Sequence, residues 1–483
     1  MVGAGYLGID VGTQAMKGVV IDESGQVIWS HTCAYPTTSP QAGWHEQNPG
    51  DWMDAYGGIM ANFEAQAPSL DIRGIGFTGQ MHSVVVSDDR GRWLRPAILW
   101  SDARAARYAD KLRTEYGTDW LRTTTGNDIL PNFSLLALLW IREHEPAIYH
   151  RIHKVELAKD WIRNAVTGNF FTDVSDASGT YLFNIRERRW DHDWMNILNL
   201  PYRWWGTAVE STAVVGALTR GPKRLQGIPV VAGAGDQAAS AVGSGLRAGK
   251  DLGVSLGTSG VLFWPTQEFF PAPHASVHSF CHALLGQWHW MAVTQSAALS
   301  MRWFRDAFNP QASFDDIELG AQSVPSGARD LFFFPYLQGE RAPITNPSAE
   351  GTLMGLRPDH TWREVARSVM EGVVFSLFHA WSVMGLETLG DLDRIVATGG
   401  GAKSTLWMTM LASVFNHPIT VVDDPGAAVG AALLAFRGMA PVRASEYATA
   451  SHKVVKPNAD TTTYARLTKE YIHWAERLNA LWD

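Results

Sequence analysis

Residues Gly8-Ile9-Asp10-Val11-Gly12-Thr13 and, near mid-chain, Gly253-Val254-Ser255-Leu256-Gly257-Thr258 share one pattern. In each stretch, apolar residues alternate with glycine or polar residues up to a Gly-Thr turn. A second apolar stretch follows each turn, Lys17 to Ile21 in the first case and Val261 to Trp264 in the second. Two such stretches joined by a short glycine turn predict a β-hairpin. The chain is therefore predicted to contain two similar hairpins, one in each half.

A second pair of elements follows the hairpins in the same order. The predicted strand Ile72 to Gly79 ends in Thr78-Gly79, and the predicted strand Ile395 to Gly399 ends in Thr398-Gly399. Each combines β-branched or aromatic residues with glycine, which is typical of a buried strand that ends in a turn. The repeat of the hairpin therefore extends to a second strand.

A third pair consists of helices that begin at a turn. Gly235-Asp236 precedes the small-residue helix predicted from Gln237 to Gly243, and Pro425-Gly426 precedes the helix predicted from Ala427 to Ala435. Three paired elements in one common order indicate an internal duplication.

The order of these pairs places the boundary between the halves just before Gly253. We predict two domains, residues 1–245 and 246–483. Strands and helices alternate through both, which favours an α/β fold. A clear helical stripe runs from Trp362 to Met384, and Thr361 with Glu364 forms a capping-box pattern in front of it.

Composition excludes several classes of protein. The chain has 483 residues, 46% of them apolar, and a net charge of −8. This is typical of a globular protein, and no run of Lys and Arg suggests nucleic-acid binding. Only two cysteines, Cys33 and Cys281, are present. They predict a reducing, cytoplasmic location. We expect neither export nor membrane insertion, because no signal-peptide pattern and no sufficiently long apolar run occurs.

The glycine-rich motifs of nucleotide-binding proteins are absent or out of context. No G-x-x-x-x-G-K-[ST] motif occurs. Gly3-Ala4-Gly5-Tyr6-Leu7-Gly8 precedes a strand instead of following one. Gly233-Ala234-Gly235 does follow a strand, but Asp236 inside the turn would repel a pyrophosphate. Neither stretch therefore predicts a dinucleotide site.

The hairpin turns are better candidates for phosphate binding. At Gly12 and Gly257 the absence of a Cβ atom lets backbone N–H groups approach an anion. Thr13 and Thr258 add hydroxyl donors, and Lys17 adds a cation. The alternative is a pair of ordinary hairpin turns without ligands.

Asp10 favours the phosphate-binding hypothesis. An acid among apolar strand residues is costly unless it has a partner. A Mg²⁺ ion that bridges phosphates would be such a partner, because it prefers oxygen ligands.

These residues resemble the two phosphate motifs and the adenosine motif of the fold shared by actin, heat-shock chaperones and sugar kinases. The third motif is Thr398-Gly399-Gly400-Gly401-Ala402. Within this fold the chain resembles the FGGY carbohydrate kinases. One family signature is complete, and its residues are Gly351, Leu353, Gly355, Leu356, Glu364, Val365, Ser368, Val369, Met370 and Glu371. A second signature, near Phe133 to His144, is imperfect, since Ala137 stands where family members commonly carry Lys.

The resemblance implies two duplicated actin-like (ribonuclease H-like) domains that flank a catalytic cleft. The N-terminal domain would bind the sugar and carry the catalytic base, and the C-terminal domain would bind ATP. ATP would contact the two hairpin turns together with Gly400, Gly401 and Ser404. Mg²⁺ would be held by Asp10 and Asp236. The partners implied are a sugar and ATP, and the resemblance is compatible with a homodimer.

Four shorter motifs resemble xylulokinases. They are Gly79-Gln80-Met81-His82, Ala97-Ile98-Leu99-Trp100-Ser101-Asp102, His278-Ser279-Phe280-Cys281-His282-Ala283-Leu284 and Leu337-Gln338-Gly339-Glu340-Arg341. They imply phosphorylation of D-xylulose. Ribulose, gluconate or a polyol remain alternative acceptors. A nucleotide-switched protein without enzymatic activity is the alternative from another class.

Asp236 is the candidate catalytic base. The resemblance matches its Gly-Asp-Gln stretch to that role, whereas the turn alone would equally suit an Asp that caps the following helix. N–H groups at the helix start would keep it ionised, with a pKa near ~4. Met81, His82 and Gln237 are predicted to bind the sugar, although a single His after a strand is often structural. Arg341 is among the weaker candidates, with its neighbour Glu340 and with Asp102.

His274, His278, Cys281 and His282 fall within one short segment. Metal binding is one interpretation of this cluster. However, the segment alternates like a strand that pairs with Trp288 to Val293, so neighbouring side chains would point to opposite faces. We therefore interpret the cluster as structural.

Overall fold

The computed structural model describes residues 4–386, 392–423, 426–440 and 453–482. The strands of the first half are β1 (Ala4–Val11), β2 (Ala15–Asp22), β3 (Val27–Ala34), β4 (Glu46–Gln47), β5 (Asp71–Gly79), β6 (Val84–Ser87), β7 (Ala97–Ile98), β8 (Lys154–Leu157), β9 (Phe171–Asp173), β10 (Phe183–Asn184), β11 (Arg189–Trp190), β12 (Thr207–Val209), β13 (Val214–Ala217), β14 (Pro229–Val231) and β15 (Ala234–Gly235). Its helices are α1 (Pro49–Gln66), α2 (Ala106–Tyr116), α3 (Thr118–Thr125), α4 (Ser134–His144), α5 (Pro146–Tyr149), α6 (Ala158–Thr167), α7 (Val174–Ala177), α8 (His192–Ile197) and α9 (Asp236–Gly243).

The second half has the strands β16 (Asp251–Leu256), β17 (Gly260–Thr266), β18 (Val277–Cys281), β19 (Trp288–Thr294), β20 (Phe332–Phe334), β21 (Thr352–Met354), β22 (Arg394–Thr398), β23 (Ile419–Val421) and β24 (Lys453–Val455). Its helices are α10 (Ala298–Phe308), α11 (Phe314–Gln322), α12 (Trp362–Val383), α13 (Thr405–Val414), α14 (Gly426–Met439) and α15 (Thr461–Trp482). The capping box at Thr361 and Glu364 is confirmed at the start of α12. Pro425, predicted to open the helix that becomes α14, lies outside the described residues.

The predicted duplication is visible in the two main sheets. The first has the order β13-β14-β5-β1-β2-β3, with β15 also paired to β5, and the second has the order β18-β19-β17-β16-β22-β23-β24. In both, the strand that leads into the Gly-Thr turn is antiparallel to its hairpin partner and parallel to the next strand of the repeat. The α/β fold class with two actin-like domains is confirmed.

Helix α14 of the second half packs on the sheet of the first half, and glycines make this possible. A Cβ atom on Gly8 of β1 would lie 1.9 Å from the Ala428 carbonyl oxygen, and one on Gly76 of β5 would lie 2.1 Å from that of Ala431. Contacts this short are forbidden, so a side chain at either strand position would displace the helix. Gly8 therefore serves helix packing, and Gly12 alone of the two forms the turn of the motif.

The apolar core is divided between the halves. One large cluster surrounds α12 in the second half, and two others lie around β1 and α4 in the first half. The strands β18 and β19 contribute Phe280 and Met291 to the cluster around α4. Part of the second half is thus packed into the first. No described helix combines the length and apolarity needed to cross a bilayer.

Candidate active site

Asp10 lies near the end of β1, paired across the sheet with Lys17 of β2 and Thr78 of β5. Its Oδ1 atom is buried and has no hydrogen-bond partner among the described residues. Burial, reinforced by the negative charge of Asp236, raises the pKa of Asp10 to about 7, and the charge of Lys17 opposes this rise. A carboxylate in this position requires a proton or a cation.

Asp236 is the first residue of α9. The residue that caps this helix is Gly235, so the interpretation of Asp236 as the helix cap is wrong. The Gln237 N–H group donates to Asp236 Oδ1 at 2.7 Å. Burial nevertheless raises the pKa of Asp236 to about 6. The sequence-based expectation of a pKa near ~4 is therefore wrong, because desolvation outweighs the helix N–H groups.

The two acids approach each other because of strand pairing. Gly79, the last residue of β5, is paired with Val11 on one side and with Gly235 on the other. Asp10 and Asp236 thus flank the end of one strand, at the edge where open α/β sheets bind ligands. No third His, Cys, Asp or Glu forms a metal cluster with them in the described part of the chain. Two carboxylates, one of them with an unpartnered oxygen, suit Mg²⁺, which accepts phosphates and waters as its remaining ligands.

The first Gly-Thr turn is held by aromatic side chains that the sequence analysis did not single out. The Gly12 N–H group closes the hairpin on the Ala15 carbonyl at 3.1 Å, and the Tyr35 hydroxyl donates to the Gly12 carbonyl. The Trp100 indole N–H group donates to the Thr13 hydroxyl at 3.0 Å. Because that hydroxyl oxygen accepts from Trp100, its own hydrogen is free to point toward an anion.

The second Gly-Thr turn is held by backbone hydrogen bonds from the start of α10. The carbonyls of Gly257 and Thr258 accept from the N–H groups of Ala298 and Ala297, both at 2.9 Å. A Cβ atom on Gly399, whose φ is +89°, would lie 2.8 Å from the carbonyl of Leu256. The turn of the adenosine motif is therefore packed directly against the second Gly-Thr turn.

The remaining predicted nucleotide ligands occupy that motif. Gly400 has open space at its Cβ position, and Gly401 is packed against Leu256. The Ser404 hydroxyl accepts from the Trp407 N–H group at 3.0 Å and caps α13. Ser404 thus has a structural role at the helix start, and its contact with ATP stays a prediction.

A small cavity lies between the two halves beside Gly235 and Asp236, which form the candidate catalytic turn. It is lined by Gln237 and Ser240 of α9 and by Ser255 and Thr398 of the second half. Gln237 therefore faces the junction between the halves. Its predicted contact with the sugar remains a prediction.

His82 is buried, and its Nδ1 atom lies 2.7 Å from the Gly179 carbonyl oxygen. Burial lowers the pKa of His82 to about 4, so the ring is neutral near pH 7. A neutral ring that donates from Nδ1 has an unprotonated Nε2 atom, which can accept a hydrogen bond from a sugar hydroxyl. Met81 packs against Gly235, where an added Cβ atom would lie 2.8 Å from the Met81 Cγ atom.

We expect His82→Ala to raise KM for the sugar several-fold and to leave KM for ATP nearly unchanged. A hydrogen bond between neutral partners contributes roughly 0.5–1.5 kcal/mol, which corresponds to this modest factor. Steady-state kinetics with each substrate varied in turn provide the measurement. His82→Asn is the matched variant, because His82 has a φ of +67°, which Asn tolerates well. Equal increases in both KM values would assign His82 a structural role.

The wall opposite His82 comes from the second half. The rings of His82 and His278 both pack edge-on against Phe133, with centroids 5.3 Å and 6.0 Å away. Burial lowers the pKa of His278 well below its usual value. The predicted pairing of this segment with Trp288 to Val293 is confirmed. His278 therefore lies beside the candidate sugar ligand His82 and not only in a structural cluster.

The catalytic turn rests on a buried ionic network. The Lys159 ammonium group, fully buried, lies 2.5 Å from Asp160, 2.8 Å from Asp173 and 3.3 Å from Asp176. The Ser175 hydroxyl donates to Asp173 at 2.6 Å and accepts from the Gly235 N–H group at 3.1 Å. A chain of bonds thus connects Lys159 to the residue directly before Asp236.

The residues of this network were assigned no function from the sequence. Its segment, Asp173 to Gly179, also supplies the carbonyl that binds His82, so one short stretch supports both the candidate base and the candidate sugar ligand. The full burial of these acids is the signal that marks the network, because fully buried acids need partners. Asp102, a weaker sugar-binding candidate, forms an ion pair with Arg104 at 2.7 Å.

Comparison with known proteins agrees with this geometry. Residues 5–243 match the N-terminal domain, and residues 252–439 the C-terminal domain, of the FGGY family of carbohydrate kinases. A xylulose kinase of Escherichia coli (strain K12) is 37% identical over 435 residues, which are 89% of this chain and 89% of that protein.

Solved structures of sugar kinases superpose on nearly the whole chain. A xyloylose (xylulose) kinase from Brucella ovis has a TM-score of 0.91 at 32% identity, covering 99% of this chain and 100% of its own. A gluconate kinase from Lactobacillus acidophilus has a TM-score of 0.93 at 27% identity, covering 99% of each chain. The similarity therefore extends over both halves and the cleft between them.

Proposed function

The chain belongs to the FGGY family of carbohydrate kinases, and we propose that it transfers the γ-phosphoryl group of ATP to the terminal hydroxyl of D-xylulose, giving D-xylulose 5-phosphate. One observation supports the site of this reaction above all others. Two partly buried acids with raised pKa values, Asp10 and Asp236, flank the end of one strand close to a Gly-Thr turn. Perturbed carboxylates in a cleft are typical of catalytic sites.

Asp236 is the base in this proposal. It accepts the proton of the acceptor hydroxyl as the oxygen attacks the γ-phosphorus and the bond to ADP breaks. A pKa raised to about 6 makes Asp236 a stronger base than an ordinary carboxylate, and still leaves it mostly ionised at neutral pH. The bond network through Ser175 and Gly235 holds the carboxylate in position, which phosphoryl transfer needs more than covalent chemistry.

The phosphates of ATP are assigned to the two Gly-Thr turns. Within the described chain, the amides of Thr13 and Gln14 donate to no other residue, and the Thr13 hydroxyl has a free hydrogen. Lys17 adds positive charge on the same hairpin. Asp10 and Asp236 would hold Mg²⁺, which neutralises phosphate charge when bound. We also propose a cytoplasmic location, which is supported by two cysteines that form no disulfide.

D-xylulose is the favoured acceptor because the similar proteins include xylulose kinases at 37% and 36% identity. Gluconate is the second candidate, because a gluconate kinase superposes with a TM-score of 0.93. A coupled assay of ADP release separates them, with D-xylulose, D-ribulose, gluconate, xylitol and D-arabinitol offered at equal concentrations. D-xylulose should give the highest kcat/KM. A higher value for any other acceptor would replace the proposed substrate.

We expect Asp10→Asn to abolish most of the stimulation by Mg²⁺ without unfolding the protein, because the unpartnered oxygen loses its charge.

The same substitution should increase the stability of the folded protein at alkaline pH. With a pKa raised from 3.8 to about 7, Asp10 binds more protons in the folded than in the unfolded state between these values. Stability therefore falls as pH rises through that range. The variant, free of nucleotide and Mg²⁺, should melt at a higher temperature than wild type at pH 8. An unchanged Mg²⁺ titration would contradict the assignment.

A further inference from the structure

The Arg341 side chain forms a positively charged part of the sugar-binding region. Its Nη2 atom lies 3.4 Å from the Nε2 atom of His278. The His278 ring in turn packs against Phe133, and Phe133 packs against His82. Arg341 therefore reaches from the loop after β20 in the second half to the region where the first half is predicted to bind the sugar.

No carboxylate in the described part of the chain forms an ion pair with this guanidinium group. The neighbouring acid, Glu340, accepts from the N–H groups of Gln295 at 2.7 Å and of Arg341 itself at 2.8 Å. Burial raises the pKa of Glu340 to about 8, so this acid is mostly neutral at pH 7. His82 and His278 are neutral as well, because burial lowers their pKa values.

Arg341 thus carries a partly buried positive charge that these groups do not balance, and burial lowers its pKa. Such a charge is costly unless something else supplies acceptors. Among the described residues, the His278 ring nitrogen contacts this guanidinium group at a long distance, so a molecule that fills the cleft can supply further acceptors.

The contacts along the cleft wall indicate which end of the acceptor lies at Arg341. Asp236 lies at one end, and Met81 packs against the residue before it. His82 follows Met81 in sequence and contacts the Phe133 ring, which also contacts His278, and His278 in turn contacts Arg341. A linear acceptor with its terminal hydroxyl at Asp236 therefore presents its opposite end to Arg341.

We propose that Arg341 binds a carbonyl or carboxylate oxygen at the end of the acceptor opposite to the phosphorylated hydroxyl, and so selects ketoses and aldonates against polyols. This inference rests on the proposed function. A ketopentose whose terminal hydroxyl is free to react is in its open-chain form, so its carbonyl group is also free. An aldonate presents a carboxylate at the same end, whereas a polyol presents only hydroxyl groups. The planar fork of Arg suits an sp² oxygen or a carboxylate.

The test compares kcat/KM of wild type, Arg341→Met and Arg341→Lys for D-xylulose and for its two reduction products, xylitol and D-arabinitol. A gluconate and glucitol pair forms the second arm. Met removes the charge at a similar length, and Lys keeps the charge but loses the fork. Arg305→Met is the matched control, because Arg305 pairs with Asp306 on helix α10 and has no contact with His278. Thermal melting and KM for ATP monitor the fold.

Wild type should prefer the ketose or the aldonate over the corresponding polyol. Arg341→Met should lose about 10- to 100-fold in kcat/KM on the preferred acceptor, as is typical when a charge-assisted hydrogen bond is lost. Its activity on the polyol should change less than about threefold, and Arg341→Lys should lie between the two.

An equal loss on ketose and polyol, or a wild type that accepts both equally, would overturn the role of Arg341 and leave the kinase proposal intact. Preference for gluconate over D-xylulose, lost in Arg341→Met, would support Arg341 and replace the proposed substrate. No turnover with any acceptor would overturn the proposed function and this inference with it.

Discussion

Asp236→Asn should lower kcat by at least ~10²-fold while the protein folds and still binds ATP, because a general base contributes a factor of this size. Asn keeps the shape of Asp and can still accept from the Gln237 N–H group, which Asp236 does at 2.7 Å. The substitution therefore removes the proton acceptor and its charge with little disturbance of α9. Steady-state turnover with saturating ATP and acceptor measures the effect, and nucleotide binding by calorimetry checks the fold.

The pH profile gives a second signature of this base. With a pKa raised to about 6, Asp236 becomes protonated as the pH falls through that value. The kcat/KM of wild type should therefore decrease toward acidic pH, since this ratio reports the ionisation of the free enzyme. Asp10 is coupled to Asp236, so the decrease belongs to the pair and not to one residue.

Asp191→Asn is the matched control for the helix-start position. The Asp191 carboxylate accepts from the Trp194 N–H group at 2.9 Å and caps α8. Its substitution should cost little stability, because Asn caps a helix about as well as Asp, and should leave kcat unchanged. Wild-type turnover in Asp236→Asn, or an equal loss in the control, would end the assignment of Asp236 as the base.

Lys159→Met should destabilise the protein by about 3–5 kcal/mol, the usual cost of breaking a buried ion pair by removing one partner. Burial raises the pKa of Asp176 well above its usual value. Lys159 forms ion pairs with Asp160 and Asp173, and Arg163 forms an ion pair with Asp160. Without Lys159, one buried negative charge has no partner.

Urea unfolding of wild type and variant measures this loss, and a double variant tests its cause. Adding Asp173→Asn to Lys159→Met removes the excess charge and should recover part of the stability. Arg466→Met is the control, because the exposed pair of Arg466 and Glu470 should contribute less than ~1 kcal/mol. A Lys159→Met variant as stable as wild type would show that the network does not support the catalytic turn.

Much of the fold follows from local sequence patterns. Alternating apolar residues and turn residues encode the hairpin that turns at Gly12, its counterpart at Gly257 and the strand that ends at Gly79. These signals act over a few neighbouring positions. The same patterns indicate that Asp10 and Asp236 come at strand ends, where a sheet of this class binds ligands. The duplication also follows from the sequence, because the same elements recur in the same order in both halves.

The chemical state of the site depended on the tertiary structure. The pKa of Asp236 rises to about 6 because burial removes water, and this burial is produced by residues from distant parts of the chain. The local argument from helix N–H groups predicted an ordinary pKa near ~4, since it could not include that desolvation. The role of Gly8 was hidden for the same reason, because the Ala428 carbonyl that it must avoid belongs to the other half.

The proposed acceptor pocket is the clearest case of a feature that the sequence alone did not determine. His82 and Arg341 lie in different halves, and only folding brings His278 and Phe133 between them. The sequence placed the candidate residues for phosphoryl transfer at turns and strand ends, because such signals are local, and the family resemblance gave Asp236 its predicted role as the base. The tertiary structure decided which charges are left unbalanced and therefore what the pocket can bind, because electrostatic balance depends on every group that surrounds a site.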